Sequence, residues 1–244
     1  MRKLPSNPNQ TRSWLLGAAL LGLVGGCAKF PDVPDAGNTR LIFTMTVSGA
    51  IRTGQEAGGN GIPYIYMVAM RTSTEENPTT PGPIPVIAPP WGNGYVAGNA
   101  THFVWWDPTA VNDYLLYKFL DTQLNNRIIV GSPVAVENVG VGSRRIRFEL
   151  LLTQLTDLPA DAALLKSLQV NFLTMDRIPQ TGTNKEWDAL GNSAIPSEIN
   201  DFIRIPLGRN GIYDNQNSNN LEPAGDQPNP DLDISDWSIE VRIE

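Results

Sequence analysis

Four aromatic side chains are the residues best suited to hold a ligand. Trp91 and Tyr95 share the run Pro89-Pro90-Trp91-Gly92-Asn93-Gly94-Tyr95, and Trp105 and Trp106 stand side by side. An exposed indole or phenol face offers a flat apolar platform with a polar edge, which suits the ring of a sugar. Adjacent residues of a strand point to opposite faces, so one member of the Trp105-Trp106 pair is expected in a core and the other at a surface or beneath a loop. The competing reading is packing alone, because large aromatics are highly buried on average: Trp91 would then pin its loop to the domain and Trp106 would plug a sheet end.

A second chemistry is oxygen coordination. The segment Asp214-Asn215-Gln216-Asn217-Ser218-Asn219-Asn220-Leu221-Glu222 is followed by Asp226, Asp231, Asp233 and Asp236. Calcium takes six to eight such oxygens, so Asp214, Asp226, Asp231 and Asp233 are calcium candidates, and structural calcium is the one cofactor entertained. The spacing does not follow the EF-hand loop, which needs glycine at the sixth position and glutamate at the twelfth, where Asn219 and Gly225 stand. Asn and Asp are also ordinary turn residues.

Enzyme motifs are missing. The chain contains no Gly-x-Ser-x-Gly elbow, phosphate-binding loop, dinucleotide-binding glycine motif or His-Glu-x-x-His. Its one histidine, His102, falls in an expected strand, and no pairing of acids stands out for glycoside hydrolysis. The balance is against an enzyme. A lone histidine and a single cysteine also exclude multi-histidine and thiolate zinc sites. Asn99-Ala100-Thr101 matches a glycosylation acceptor, read as incidental. Arg145 and Arg147 alternate toward solvent beside Glu149, as on a charged sheet face.

The elements that must position these residues read mainly as strands. Leu41, Phe43, Met45 and Val47 alternate with polar neighbours, as do Ile146, Phe148, Leu150 and Leu152, and Trp237, Ile239, Val241 and Ile243. A period of two is the pattern of a half-buried strand. Further strands are expected within 63–72, 100–106, 114–120, 127–137, 167–175 and 202–207, about nine in all. One short helix is expected from Pro159 to Lys166, capped by Asp157. Short strands separated by Gly and Pro clusters predict an all-β, antiparallel β-sandwich of immunoglobulin-like or related topology over residues 39–244. Three loops are long: Thr53 to Ile62, Ser73 to Asn99 and Gly208 to Asp233. The last two are the first places to look for function.

The amino terminus carries a different signal. Arg2, Lys3 and Arg12 precede thirteen uncharged residues, Trp14 to Gly26. A bilayer core of about 30 Å needs roughly 20 apolar residues of helix, whereas a secretory core needs about 7 to 15. The segment closes as Leu23-Val24-Gly25-Gly26-Cys27 and resembles the lipobox of bacterial lipoproteins, with Val24 where leucine is commonest. The resemblance implies a signal peptide over 1–26, cleavage before Cys27, diacylglycerol on the Cys27 sulfur and acylation of the new amino terminus, commonly with palmitate. A single fourteen-carbon chain binds a membrane at only about 10⁴ M⁻¹, so two or three chains are what a lasting anchor requires. Ala28 after the cysteine, in place of Asp, resembles the outer-membrane sorting class where the host has an outer membrane.

Cys27 is the only cysteine, which rules out an intrachain disulfide and leaves stability to a hydrophobic core. Residues 27–38, with Pro31, Pro34 and Gly37, read as lipidated cysteine and tether. Loss of the three leader cations would move the net charge from −7 to −10. That argues against nucleic acid, whose phosphates call for clustered Lys and Arg. The sequence therefore points to an exported, membrane-anchored envelope lipoprotein, non-catalytic, whose sandwich binds or scaffolds another envelope component, a protein or a glycan. The alternative is a carbohydrate-binding or carbohydrate-processing surface lipoprotein whose loop aromatics hold a glycan.

Overall fold

The fold is set by where the alternating runs meet. In the computed structural model, which describes residues 38–56, 61–85, 93–178, 185–193 and 201–244, fourteen strands run β1 Thr39–Val47, β2 Ile65–Ser73, β3 Pro83–Pro85, β4 Val96–Gly98, β5 His102–Trp106, β6 Tyr114–Phe119, β7 Arg127–Gly131, β8 Ala135–Val136, β9 Arg145–Leu151, β10 Ser167–Met175, β11 Trp187–Ala189, β12 Ile203–Pro206, β13 Gly211–Asp214 and β14 Ile234–Ile243. All described pairings are antiparallel. A five-stranded sheet has the order β13-β14-β1-β9-β8. A seven-stranded sheet has the order β11-β10-β2-β5-β6-β7, with β12 also on the outer edge of β10, and β3-β4 form a separate hairpin.

The two large sheets face each other across one core. Leu41, Phe43 and Met45 of β1, Ile146, Phe148 and Leu150 of β9, and Trp237, Ile239 and Val241 of β14 meet Tyr66 and Val68 of β2, Trp106 of β5, Leu116 of β6 and Phe172 of β10. Register explains the fit: Phe43 lies opposite Phe148 on one side and Ile239 on the other, and the Phe43 and Phe148 rings stack at 5.1 Å. The intervening residues of this sheet face outward, where Arg145 pairs with Glu137 at 2.7 Å and Arg40 with Glu149. This is the all-β, antiparallel sandwich expected from the pattern.

The strand count differs from the nine expected. β3, β4, β11 and β13 are three or four residues long and show too little alternation to be read, and the single strand expected over 127–137 is two, β7 and β8, on different sheets. The expected helix is a 3-10 helix, Pro159–Leu164; Leu158, not Asp157, precedes it as cap, and Asp157 instead ion-pairs with Lys118. Further 3-10 turns occur at Leu152–Leu155 and Gln216–Ser218.

The two longer loops also hold structure. The segment after β2 returns as the β3-β4 hairpin and covers the outer face of the seven-stranded sheet, building a second core from Met67, Ala69, Tyr95, Val96, Phe103, Phe119 and Leu173. Both faces of β10 are therefore buried, polar residues included. Those polar groups are satisfied by the cover: Ser167 Oγ donates to Glu75 O at 2.6 Å, Gln169 Nε2 to Thr80 O at 3.1 Å, and Asn171 Nδ2 to Pro83 O at 3.1 Å. Gly98 makes the hairpin possible. Its φ is +78°, and a Cβ there would lie 2.2 Å from Gly82 O.

Candidate metal centre

Four carboxylates converge where the edge strand β11 meets the entry to β14. Asp188 is the middle residue of β11 and lies opposite Thr174 of β10. Asp233 immediately precedes β14, and Glu222 and Asp226 come from the loop joining β13 to β14. Side chains fold this loop back on itself. The Asn215 amide brackets the backbone of Glu222, accepting from its N–H at 2.9 Å and donating to its carbonyl at 2.6 Å. Asn219 and Asn220 turn the chain with left-handed φ of 60° and 51°, which asparagine tolerates. Gln227 Nε2 donates to Trp187 O at 2.6 Å, tying the loop to β11.

Each acid is oriented by backbone amides. Asp188 Oδ2 accepts from Ile234 N at 2.8 Å, Glu222 Oε2 from Gly191 N at 3.1 Å, and Asp226 Oδ2 from Ser193 N at 2.6 Å. The second oxygens of these three, Asp188 Oδ1, Glu222 Oε1 and Asp226 Oδ1, are buried and have no hydrogen-bond partner among the described residues. Asp233 is held more fully, by Gly225 N at 2.8 Å to Oδ1 and by the Ser48 hydroxyl at Oδ2. Oxygens of Asp188, Asp226 and Asp233 all lie within 4.8 Å of one another.

The electrostatics are severe. Asp188 is 0% exposed, and Glu222 and Asp233 are 1% exposed. Among the described residues no lysine or arginine ion-pairs with any of the four acids. Burial, reinforced by the charges of Asp226 and Asp233, pushes the Asp188 carboxyl up to about 8. Burial and the charges of Asp188 and Asp226 push Glu222 up to about 11, and burial raises Asp226. Like charges in a dry site cannot all ionise without a compensating cation.

The sequence-expected residues fall out differently. Of the calcium candidates, Asp226 and Asp233 belong to this cluster, whereas Asp214 and Asp231 do not. Asp214 accepts from the Asn217 backbone N–H at 2.7 Å, and Asp231 accepts from Ala50 N at 2.9 Å and lies 3.6 Å from Arg52. Asp188 is not among the sequence candidates, and Glu222 closes the oxygen-rich segment without being singled out as a ligand. Their signal was an acid set in an apolar context: Asp188 between Trp187 and Ala189-Leu190, and Glu222 between Leu221 and Pro223.

Two of the four aromatic candidates, Trp106 and Tyr95, are buried. Trp106 is buried between the sheets against Tyr66, ring centroids 5.8 Å apart. Tyr95 is buried in the second core beside Phe103 and Phe119, and its hydroxyl accepts from Arg127 at 2.8 Å. Neither can present a ring face to a sugar. Trp105, half-buried on the opposite face of β5, leans on Tyr117, while Trp91 and Cys27 lie outside the described residues.

A surface groove of about 650 Å³ is lined by Lys166, Arg204 and Arg209 with Glu76. No helix among the described residues is long and apolar enough to cross a membrane. No protein-family model, curated protein or solved structure matches the chain.

Proposed function

We propose that the chain is a lipid-anchored envelope protein whose sandwich docks an extended segment of another envelope protein along an open sheet edge. The observation that carries the docking half is β7. This strand closes the seven-stranded sheet, pairs only with β6 among the described residues, and exposes Ile128, Ile129 and Val130 in succession. Val134 and Val136 continue the exposed aliphatic surface onto β8, the edge of the other sheet. Edge strands are normally blunted by charge, proline or a covering loop, because their free N–H and C=O groups invite another strand. Here Arg127 is the one charged residue of the strand, and among the described residues no further strand pairs with it. An added strand would gain main-chain hydrogen bonds and aliphatic contacts together.

The anchoring half rests on the residues before Cys27 and on that cysteine being single. Both halves are tested in cells making the full chain. A palmitate analogue should label the protein and fail to label Cys27→Ser, and label retained by that variant refutes the anchor. A photo-crosslinking residue at position 129 should give one discrete protein adduct that Ile128→Lys abolishes; an adduct pattern indifferent to that change refutes edge docking.

A further inference from the structure

We propose that Asp188, Asp226 and Asp233, with Glu222 as the fourth carboxylate, bind a calcium ion that staples the loop between β13 and β14 to the edge strand β11. Three independent features of the cluster point to a cation. The first is distance. Calcium sits about 2.3 to 2.6 Å from its oxygens, so two ligands across the ion are separated by up to about 5 Å. The oxygens of Asp188, Asp226 and Asp233 are within 4.8 Å of one another, the span one ion can bridge.

The second is the pattern of satisfaction. Asp188, Glu222 and Asp226 each commit one oxygen to a backbone N–H and leave the other buried without a partner among the described residues. Polar atoms so far from water are hydrogen-bonded in nearly every native protein, so orphaned oxygens on three neighbouring acids point to a partner that the described residues do not supply. An oxygen anchored by an amide while its twin faces the ion is how supporting groups orient metal ligands. Asp188 is fully buried and Glu222 is 1% exposed, so solvent does not supply that partner freely.

The third is charge. Four acids are gathered with no lysine or arginine ion-paired to them among the described residues. A divalent ion among Asp188, Asp226 and Asp233 supplies the missing positive charge, which Glu222 feels through its coupling to Asp188 and Asp226.

Ligand type selects the metal class. All four donors are carboxylates, hard oxygen ligands, with no imidazole or thiolate, which disfavours zinc and copper. Magnesium demands near-ideal octahedral geometry, dehydrates reluctantly and keeps several waters, whereas calcium accepts irregular, bidentate carboxylate cages. A buried nest of anchored acids suits calcium. Its structural effect follows from the chain segments it joins: β11 belongs to the seven-stranded sheet and Asp233 leads into β14 of the five-stranded sheet.

The test uses the full chain, stripped with chelator and titrated with calcium chloride. Calorimetry should give one calcium per chain, and saturating calcium should raise the melting temperature by at least about 5 °C, as a ligand at roughly a hundred times its dissociation constant does for a domain of this size. Magnesium at equal concentration should give less than a third of that shift. In Asp188→Asn an oxygen remains to accept from Ile234 N while the charge is lost, so the chelated variant should melt no lower than the chelated parent and yet bind calcium at least tenfold more weakly. Glu222→Gln should behave likewise. Absence of binding heat and melting shift in the parent, an equal response to magnesium, or undiminished calcium binding in both variants overturns the proposal.

Discussion

Acidifying the protein from pH 7 to pH 4.5 charges His102 in the unfolded chain before it charges His102 in the fold. The imidazole is 4% exposed in β5, between Met70 of β2 and Lys118 of β6, with Nδ1 3.0 Å from Thr101 Oγ1. Burial, with the nearby Lys118 ammonium, lowers it from 6.5 to about 4, against a weaker opposing pull from Asp157. The folded value lies below the unfolded one, so the neutral ring contributes full stability above pH 6.5 and loses it as pH falls toward 4. Linkage between those two values gives a loss of about 2.5 kcal/mol by pH 4.5. Urea unfolding of the parent and of His102→Gln at both pH values isolates this contribution, because every other titration, the acid cluster's included, is common to the two proteins and cancels in the difference. The parent should lose about 2.5 kcal/mol more than the variant. Losses agreeing within about 0.5 kcal/mol would refute the argument that burial holds the ring neutral.

Two further substitutions probe how the loops are fixed. The Tyr66 hydroxyl donates to Asp231 O and accepts from Arg52 N, each at 2.9 Å, so it joins the first long loop to the approach to β14. Tyr66→Phe leaves that carbonyl and that N–H unsatisfied, and chemical denaturation should register a loss of about 1 to 3 kcal/mol. At Gly98 an alanine must take a left-handed φ and place its Cβ against Gly82 O. Gly98→Ala should cost about 1 to 3 kcal/mol, and hydrogen exchange should show the loss concentrated in the β3-β4 hairpin and the second core beneath it.

The sequence was most legible where the environment is simplest. β1, β9 and β14 form the middle of a sheet with one face in the core and one in water, so their side chains alternate and their period of two is plain. β10 deceives for the opposite reason. Gln169 and Asn171 resemble solvent-facing residues, yet the covering segment buries them completely and takes their hydrogen bonds, and nothing in a local pattern reports a cover made by Thr80 and Pro83, distant in sequence. Residues 127–137 read as one strand because aliphatic residues stand on both sides of the short Gly131-Ser132-Pro133 passage between the sheets. For the site, composition pointed to Asp226 and Asp233, but could not separate them from Asp214 and Asp231, which serve turns and a surface arginine. Asp188 was hidden because it lies on a three-residue strand well upstream, and only the pairing of β11 with β10 brings it to the loop.

The positions of the acid cluster and the open edge in the seven-stranded sheet make them independent devices. β11 is one end of the order β11-β10-β2-β5-β6-β7 and β7 is the other. Five strand spacings of about 4.8 Å separate them by roughly 24 Å, more than twice the distance beyond which substitutions normally add. Between them β10, β2, β5 and β6 each give side chains to both packed cores, so no described strand on that path is held loosely enough to carry a two-state movement from one end to the other. A cation at β11 therefore acts on the stability of the β13-β14 loop and not on the affinity of β7 for a partner strand. The proposed docking edge is thus expected to stay presented whether or not an ion occupies the acid cluster.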